Sequence, residues 1–321
     1  MNETSREIFE NYEIRKTASQ KKAFIEYAKK KGADMGYSVS VECKKGKAPR
    51  NIVVGSPESA KVIFTAHYDT CPRLPFPNFI TPKNILIYIL YQLVITVAVI
   101  AVPVLVALGI SLLCRELGMN EFHYMLIYDV LKAVGIVGIL ALMMIGPANP
   151  HTANDNTSGV ITLFEIMGSV PEELRRSVAF VFFDLEELGL VGSSYFASKR
   201  KKKLDGIPVV NFDCVSDGKC ILFALKKSSK EYEGVLKKAF KAEGEFEINV
   251  ASKGVFYPSD QANFKRGIGV AALKKSRRGI LYMDKIHTAK DIAFAEENIE
   301  YLKNGAVRLC ELLADEDVEK A

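Results

Sequence analysis

Residues 177–193 read SVAFVFFDLEELGLVGS. Ser177–Phe183 is a continuous apolar run of strand length, and it ends abruptly on Asp184-Leu185-Glu186-Glu187. An unbroken apolar run suits a strand buried on both faces rather than one with a wet side. From Gly189 to Lys203 the pattern turns helical and closes on consecutive basic residues, Lys199–Lys203, as a solvated helix C-terminus does. A buried strand that delivers acidic residues at its end and then enters a helix belongs to an open α/β sheet, whose ligands gather beyond the strand ends.

The alternation continues in both directions. Thr17–Gly32 reads as a helix with Phe24, Ile25 and Ala28 on its apolar face. Tyr37–Val41, Asn51–Gly55 and Lys61–Ala66 are short β-branched runs bounded by turn residues. Downstream, Ser158–Met167 and Lys230–Ala242 read as helices, and Pro208–Phe212, Cys220–Leu225 and Ile268–Leu273 as strands. Glu296–Leu313 closes the pattern as an amphipathic helix whose face is Ile299, Leu302, Ala306, Leu309 and Leu313. The expected fold is α/β, a mixed central sheet with helices on both faces.

One region breaks the pattern. Between Lys83 and Arg115 no residue is charged, and Ile85–Cys114 is long enough to cross a bilayer. A second apolar run, Ala133–Gly146, is preceded by Phe122–Leu131 and carries Asp129 and Lys132, which sit three apart and can pair on a helix. Residues 1–72 and 148–321 are therefore expected to form one domain, with 73–147 inserted as an apolar helical hairpin, either a membrane hairpin or a lid. Pro103 and Gly109 inside the first run suit a membrane helix better than a soluble one. Arg73 and Lys83 flank the domain side, and the connection sets Arg115 against Glu116 and Glu121. By the positive-inside rule the α/β domain is expected in the cytoplasm, anchored through residues 84–146, the alternative being a soluble cytoplasmic protein.

Composition limits the function classes. The 321 residues carry a formal net charge of +5, too small a basic excess to suggest nucleic acid. Six scattered cysteines without a CxxC pair suit reduced thiols in a cytosolic setting, and Met1–Lys16 has no apolar core of a signal peptide.

Chemistry-bearing residues fall at the strand ends. The strand Lys61–Ala66 runs into His67-Tyr68-Asp69, where His67 can ligate a metal and Asp69 can orient its ring. Asn154-Asp155-Asn156 opens a helix, and the two oxygens of Asp155 can bridge two ions. Glu186 and Glu187 allow one carboxylate to bind metal while the other handles a proton. Asp213 ends the strand Pro208–Phe212, and His287 lies late in the chain. Taken singly, such residues serve as caps and hydrogen-bond partners. As a set, two histidines and several carboxylates suit zinc, which takes nitrogen and oxygen ligands and keeps a position open for water in catalytic sites.

In this order the segments resemble the di-zinc exopeptidases of metallopeptidase family 28, which includes bacterial leucyl aminopeptidases and glutamate carboxypeptidase. The resemblance covers Asn51–Asp69 and Ala148–Leu313, and Glu186–Ser193 is its most diagnostic piece. It implies two zinc ions, with His67 and Asp213 on one, Glu187 and His287 on the other, and Asp155 between them. Cobalt or manganese suit the same ligands. Glu186 would be the general base, and Tyr257 resembles a tyrosine that some relatives use as an oxyanion donor. Two departures stand out: the apolar insertion replaces a short connection, and Ser259-Asp260 is followed by Gln261.

The leading expectation is an aminopeptidase acting on peptides. A carboxypeptidase or dipeptidase on the same scaffold is the first alternative. Glutaminyl cyclases share the fold but bind a single zinc, which the retention of His67 and Asp213 disfavours. A non-catalytic receptor or scaffold is disfavoured by the complete ligand set. A transporter component would leave that set without a purpose.

Overall fold

In the computed structural model, which describes residues 1–200 and 202–318, the apolar run before the glutamates is a strand with every residue buried. The strands are β1 Val39–Lys44, β2 Lys47–Val54, β3 Val62–His67, β4 Val178–Phe183, β5 Val209–Phe212, β6 Cys220–Leu225, β7 Glu247–Ala251, β8 Gly267–Lys275 and β9 Leu281–Tyr282. The helices are α1 Glu3–Tyr12, α2 Ala18–Asp34, α3 Ile85–Glu116, α4 Glu121–Ile145, α5 Gly159–Ser169, α6 Val191–Arg200, α7 Glu233–Ala239 and α8 Glu296–Val318.

Together the strands make one mixed sheet in the order β1-β2-β4-β3-β5-β8-β6-β7, with β9 on β8. Its centre, β4-β3-β5-β8, is parallel, while β2 and β6 join it antiparallel. Side chains alternate across β4. Val178, Phe180 and Phe182 enter the larger core with Phe24, Phe64, Phe164 and Phe212, and Ala179, Val181 and Phe183 enter the smaller core with Phe196 and Phe264. Helices α1, α2, α5, α7 and α8 supply the larger core and α6 the smaller, so both faces are covered as expected for an unbroken apolar strand.

Several boundaries differ from the sequence reading, for local reasons. Helix α2 begins one residue after Thr17 because Thr17 and Gln20 form a capping box. Within the expected helix Lys230–Ala242 only Glu233–Ala239 is α-helical, since a 3-10 turn, Lys227–Tyr232, precedes it and Phe240 turns into the core. Lys199 and Arg200 pair with Glu42, and Lys203 pairs with Glu58; Lys201 lies outside the described residues.

The apolar insertion forms two long antiparallel helices, α3 and α4, joined by Leu117–Asn120. They cross closely where a Cβ on Gly135 would come within 2.7 Å of Pro103, and Ser111 donates to the carbonyl of Tyr124 at 2.8 Å. Asp129 and Lys132 pair at 2.7 Å, as their spacing suggests. Only Pro103, Ala107 and Ser111 of α3 are buried, and no residue of α4 is. By length and composition both helices suffice to cross a membrane.

Candidate metal centre

The parallel strands β3, β4 and β5 deliver His67, Glu186-Glu187 and Asp213 to the same edge of the sheet. The segment before α5 adds Asp155 from a loop threaded by side-chain contacts. Asn154 accepts the backbone N–H groups of Ser216 and Asp217, and Asn156 donates to the Phe212 carbonyl while accepting from Gly159 and Cys214. His287 comes from the loop after β9, where it adopts a left-handed backbone with φ 65°.

These residues converge around Asp155. Its Oδ1 lies 3.3 Å from His67 Nε2, and its Oδ2 lies 3.1 Å from His287 Nε2. Asp213 Oδ1 is 3.6 Å from His67 Nε2, and Glu187 Oε2 is 3.4 Å from His287 Nε2. Glu186 joins the His67–Asp213 side, with ligand atoms of all three within 4.8 Å of one another.

Electrostatics mark the cluster as built for cations. Burial pushes the Glu186 carboxyl well above its usual range; Glu187 and Asp213 add to the rise and His67 opposes it. Burial likewise raises Glu187 to about 8. Burial works against a charged His287, but Glu187 and Asp155 prevail and lift it to about 9. Two buried atoms, His67 Nε2 and Glu187 Oε1, have no hydrogen-bond partner. Unpartnered nitrogen and oxygen donors beside surplus carboxylates fit divalent metal ions of the zinc type.

Supporting contacts differ in part from the expectation. The Asp69 carboxylate accepts the backbone N–H groups of Glu186 at 3.0 Å and Glu187 at 3.3 Å, holding the glutamate turn. His67 Nδ1 lies nearer the Asp69 carbonyl, at 3.1 Å, than its carboxylate, at 3.7 Å. The main-chain carbonyl of Asp69 thus makes the shorter contact with the ring, with its carboxylate close behind. Tyr257 is buried beside the cluster, and its hydroxyl donates to the Asp213 carbonyl at 2.9 Å. His151 stands apart, 3.6 Å from Glu13.

Two supporting residues have no local sequence signal. Arg15 is fully buried, donates to the Tyr68 carbonyl at 2.5 Å and to Thr157 at 3.1 Å, and so ties the His67 loop to the Asp155 loop. Asp291 accepts the backbone N–H groups of Asn154 at 3.1 Å and Asp155 at 3.0 Å. Asp260, of the Ser259-Asp260 step read in the sequence, is buried with neither carboxylate oxygen partnered, and burial raises it to about 7.

A mixed α/β sheet that gathers these nitrogen and oxygen donors at its strand ends has the make-up of a metal-binding enzyme site. Residues 133–308, more than half of the chain, match the model of peptidase family M28, and the chain belongs to that family. The matched span includes Asp155, Glu186, Glu187, Asp213, Tyr257 and His287. Membership supports a metal-dependent, zinc-type peptidase acting on peptides. No protein of curated function matches the chain.

Among similar structures, the LapA aminopeptidase of Legionella pneumophila has a TM-score of 0.55 and 13% identity, over 96% of this chain and 69% of its own. A glutaminyl cyclase of Porphyromonas gingivalis has 0.56 and 16%, over 96% and 95%. A leucine aminopeptidase precursor of Bacteroides thetaiotaomicron has 0.53 and 14%, over 95% and 93%. At these identities the likeness establishes the shared fold.

Proposed function

We propose that the chain is an aminopeptidase that holds two divalent ions, zinc by preference, and removes N-terminal residues from peptides. The observation that carries this reading is the divided Asp155 carboxylate, with His67 facing one oxygen and His287 the other. His67, Asp213 and Asp155 would hold one ion, and His287, Glu187 and Asp155 the second. Bound metal supplies a water of lowered pKa and polarises the scissile carbonyl.

The remaining chemistry belongs to side chains. Glu186, raised by burial and set beside His67 and Asp213, takes the water's proton and returns it to the leaving amine. Asp69 fixes where Glu186 and Glu187 point by holding their backbone. Asp260, a buried carboxylate outside the proposed ligand set, would favour a substrate's free ammonium over its carboxylate. Two of the similar structures are an aminopeptidase and a leucine aminopeptidase precursor, which agrees with this choice.

A second reading has its own observation. A cavity of about 290 Å³ beside the site is lined by Lys16, Lys21, Asp69, Glu187 and Leu188. Lys21 is paired with Asp184 at 2.6 Å, whereas the Lys16 amine has no partner among the described residues. A free amine there suits a substrate carboxylate, as in a dipeptidase or carboxypeptidase. Purified protein given matched free-amine and N-blocked peptides separates the two: release from the free-amine series alone supports the aminopeptidase. Cleavage of N-blocked peptides, reduced by Lys16→Met, would transfer the assignment to a carboxypeptidase.

The hairpin supports membrane anchoring with the domain on the cytoplasmic side, residues 1–72 and 148–321 forming the catalytic unit. Its apolar surface is almost wholly exposed, and Arg73 and Lys83 flank its base. The base also borders the site. Leu74 donates to the His287 carbonyl at 2.8 Å, Tyr88 of α3 meets the exposed Phe256 at 5.7 Å between ring centroids, and Met144 and Ile145 of α4 line the cavity beside Glu187. Anchored in this way, the cleft would lie close to the lipid headgroups.

A further inference from the structure

Cys71 lies four residues beyond His67, at the root of the apolar hairpin, and no step described above uses it. It is completely buried. The segment is held by a bridge between Pro72 and Ala148 and by Asn149, which donates to the Cys71 carbonyl at 3.2 Å. Its sulfur, a carboxylate oxygen of Glu187 and a ring nitrogen of His287 all lie within 4.8 Å of one another. The Glu187 side chain is only 7% exposed, and its Oε1 is a buried atom without a hydrogen-bond partner.

A second buried thiol, Cys214, is likewise grouped with Asp155 and Asp213 within 4.8 Å, and differs from Cys71 in its hydrogen bonding. Cys214 donates its S–H to Asp213 Oδ1 at 3.1 Å, so its proton already has an acceptor. The Cys71 thiol makes no such bond among the described residues. A buried sulfur without an acceptor, grouped with an unpartnered carboxylate oxygen and an imidazole, has the composition of a metal ligand set rather than of a packed apolar thiol.

We infer that Cys71 is a thiolate ligand of the metal held by His287 and Glu187, an assignment that rests on the metal-centre reading above. As the metal–sulfur bond forms, the S–H proton is released to solvent, and both bonding electrons stay on sulfur. The two positions then differ in kind. With Asp155, whose Oδ2 lies 3.1 Å from His287 Nε2, the group of Cys71, Glu187 and His287 would offer one position four protein donors, the number of a closed site. His67, Asp213 and Asp155 offer the other three, the number that leaves room for water. Glu186 groups with the three-donor position, where a proton-transfer residue is needed. A soft sulfur donor also biases the four-donor position toward zinc or cobalt and away from manganese.

The test is spectroscopic and uses the full-length protein in detergent. Loaded with cobalt(II), wild type should show a thiolate-to-cobalt charge-transfer band in the near ultraviolet. Cys71→Ser and Cys71→Ala should lose it, and Cys214→Ser should keep it. X-ray absorption on the zinc-loaded wild type, which needs no variant to fold, should show a sulfur neighbour at about 2.3 Å. Metal bound with only nitrogen and oxygen neighbours would overturn the Cys71 assignment and leave the metal centre standing. A band that disappears in Cys214→Ser and survives in Cys71→Ser would also overturn it. Failure of the wild type to bind either metal would overturn both readings.

Discussion

Asp291 accepts the backbone N–H of Asp155 at 3.0 Å, so the residue proposed to bridge two ions is itself held by a second buried carboxylate. Burial and the Asp155 charge raise Asp291 to about 7. Partners that orient metal ligands typically contribute 10–100-fold in affinity. Asp291→Asn is expected to weaken metal binding by about that factor while the far-ultraviolet circular dichroism stays unchanged. Competition with a chromogenic chelator reads the affinity directly, and an unaltered value would remove Asp291 from the support of the site.

Tyr257 offers a separate test. Its hydroxyl is committed to the Asp213 carbonyl, which makes it a brace for the Asp213 loop. Tyr257→Phe removes one buried hydrogen bond and should lower stability by about 1 kcal/mol. The rate should fall by much less than the roughly 10²–10³-fold seen when an oxyanion donor is lost. A loss of kcat in that range, with an unchanged melting temperature, would instead make Tyr257 the oxyanion donor.

Metal affinity should depend on pH with a defined sign. In the metal-free protein His287 is raised to about 9, its burial outweighed by Glu187 and Asp155. Below that value a metal must displace the ring proton, so binding releases protons and tightens as pH rises toward about 9. Calorimetry in buffers of different ionisation enthalpy counts the protons released. Affinity that is flat between pH 6 and about 9 would contradict a protonated His287.

Much of this site is legible in the sequence because its strands are short and end on their functional residues. Ser177–Phe183 reads as a strand from its continuous apolar run, the observed strand is Val178–Phe183, and Glu186 and Glu187 follow two residues beyond its end. The supporting residues are illegible for a physical reason: their contacts are non-local. Arg15 reaches Tyr68 and Thr157, Asp291 reaches Asp155, and neither position carries a local pattern. The role of Asp69 is hidden in the same way, since only the folded turn brings its carboxylate to the backbone of Glu186. Elements with little buried area also escape a periodicity reading. Helix α1 buries a single large apolar residue, Ile8, and β7 is a half-exposed edge strand.

The hairpin yields a prediction of its own. Val137 is 66% exposed on α4 and would face lipid in an anchored protein. A charged residue at the centre of a membrane helix costs about 2.5–3.5 kcal/mol of insertion free energy. Val137→Lys should therefore reduce the carbonate-resistant membrane fraction, whereas Val137→Leu should leave it unchanged. Wild-type protein that is wholly extracted by carbonate would show that these helices cover something other than a bilayer.

The most direct measurement of the central claim compares wild type with Glu186→Gln for metal content and for hydrolysis of aminoacyl-p-nitroanilides. Substitution of the base should leave about two bound metals per chain while lowering kcat by roughly 10²–10⁴-fold. A variant that keeps both its metal and its turnover would contradict Glu186 as the base, and a folded wild type that binds no metal would contradict the account as a whole.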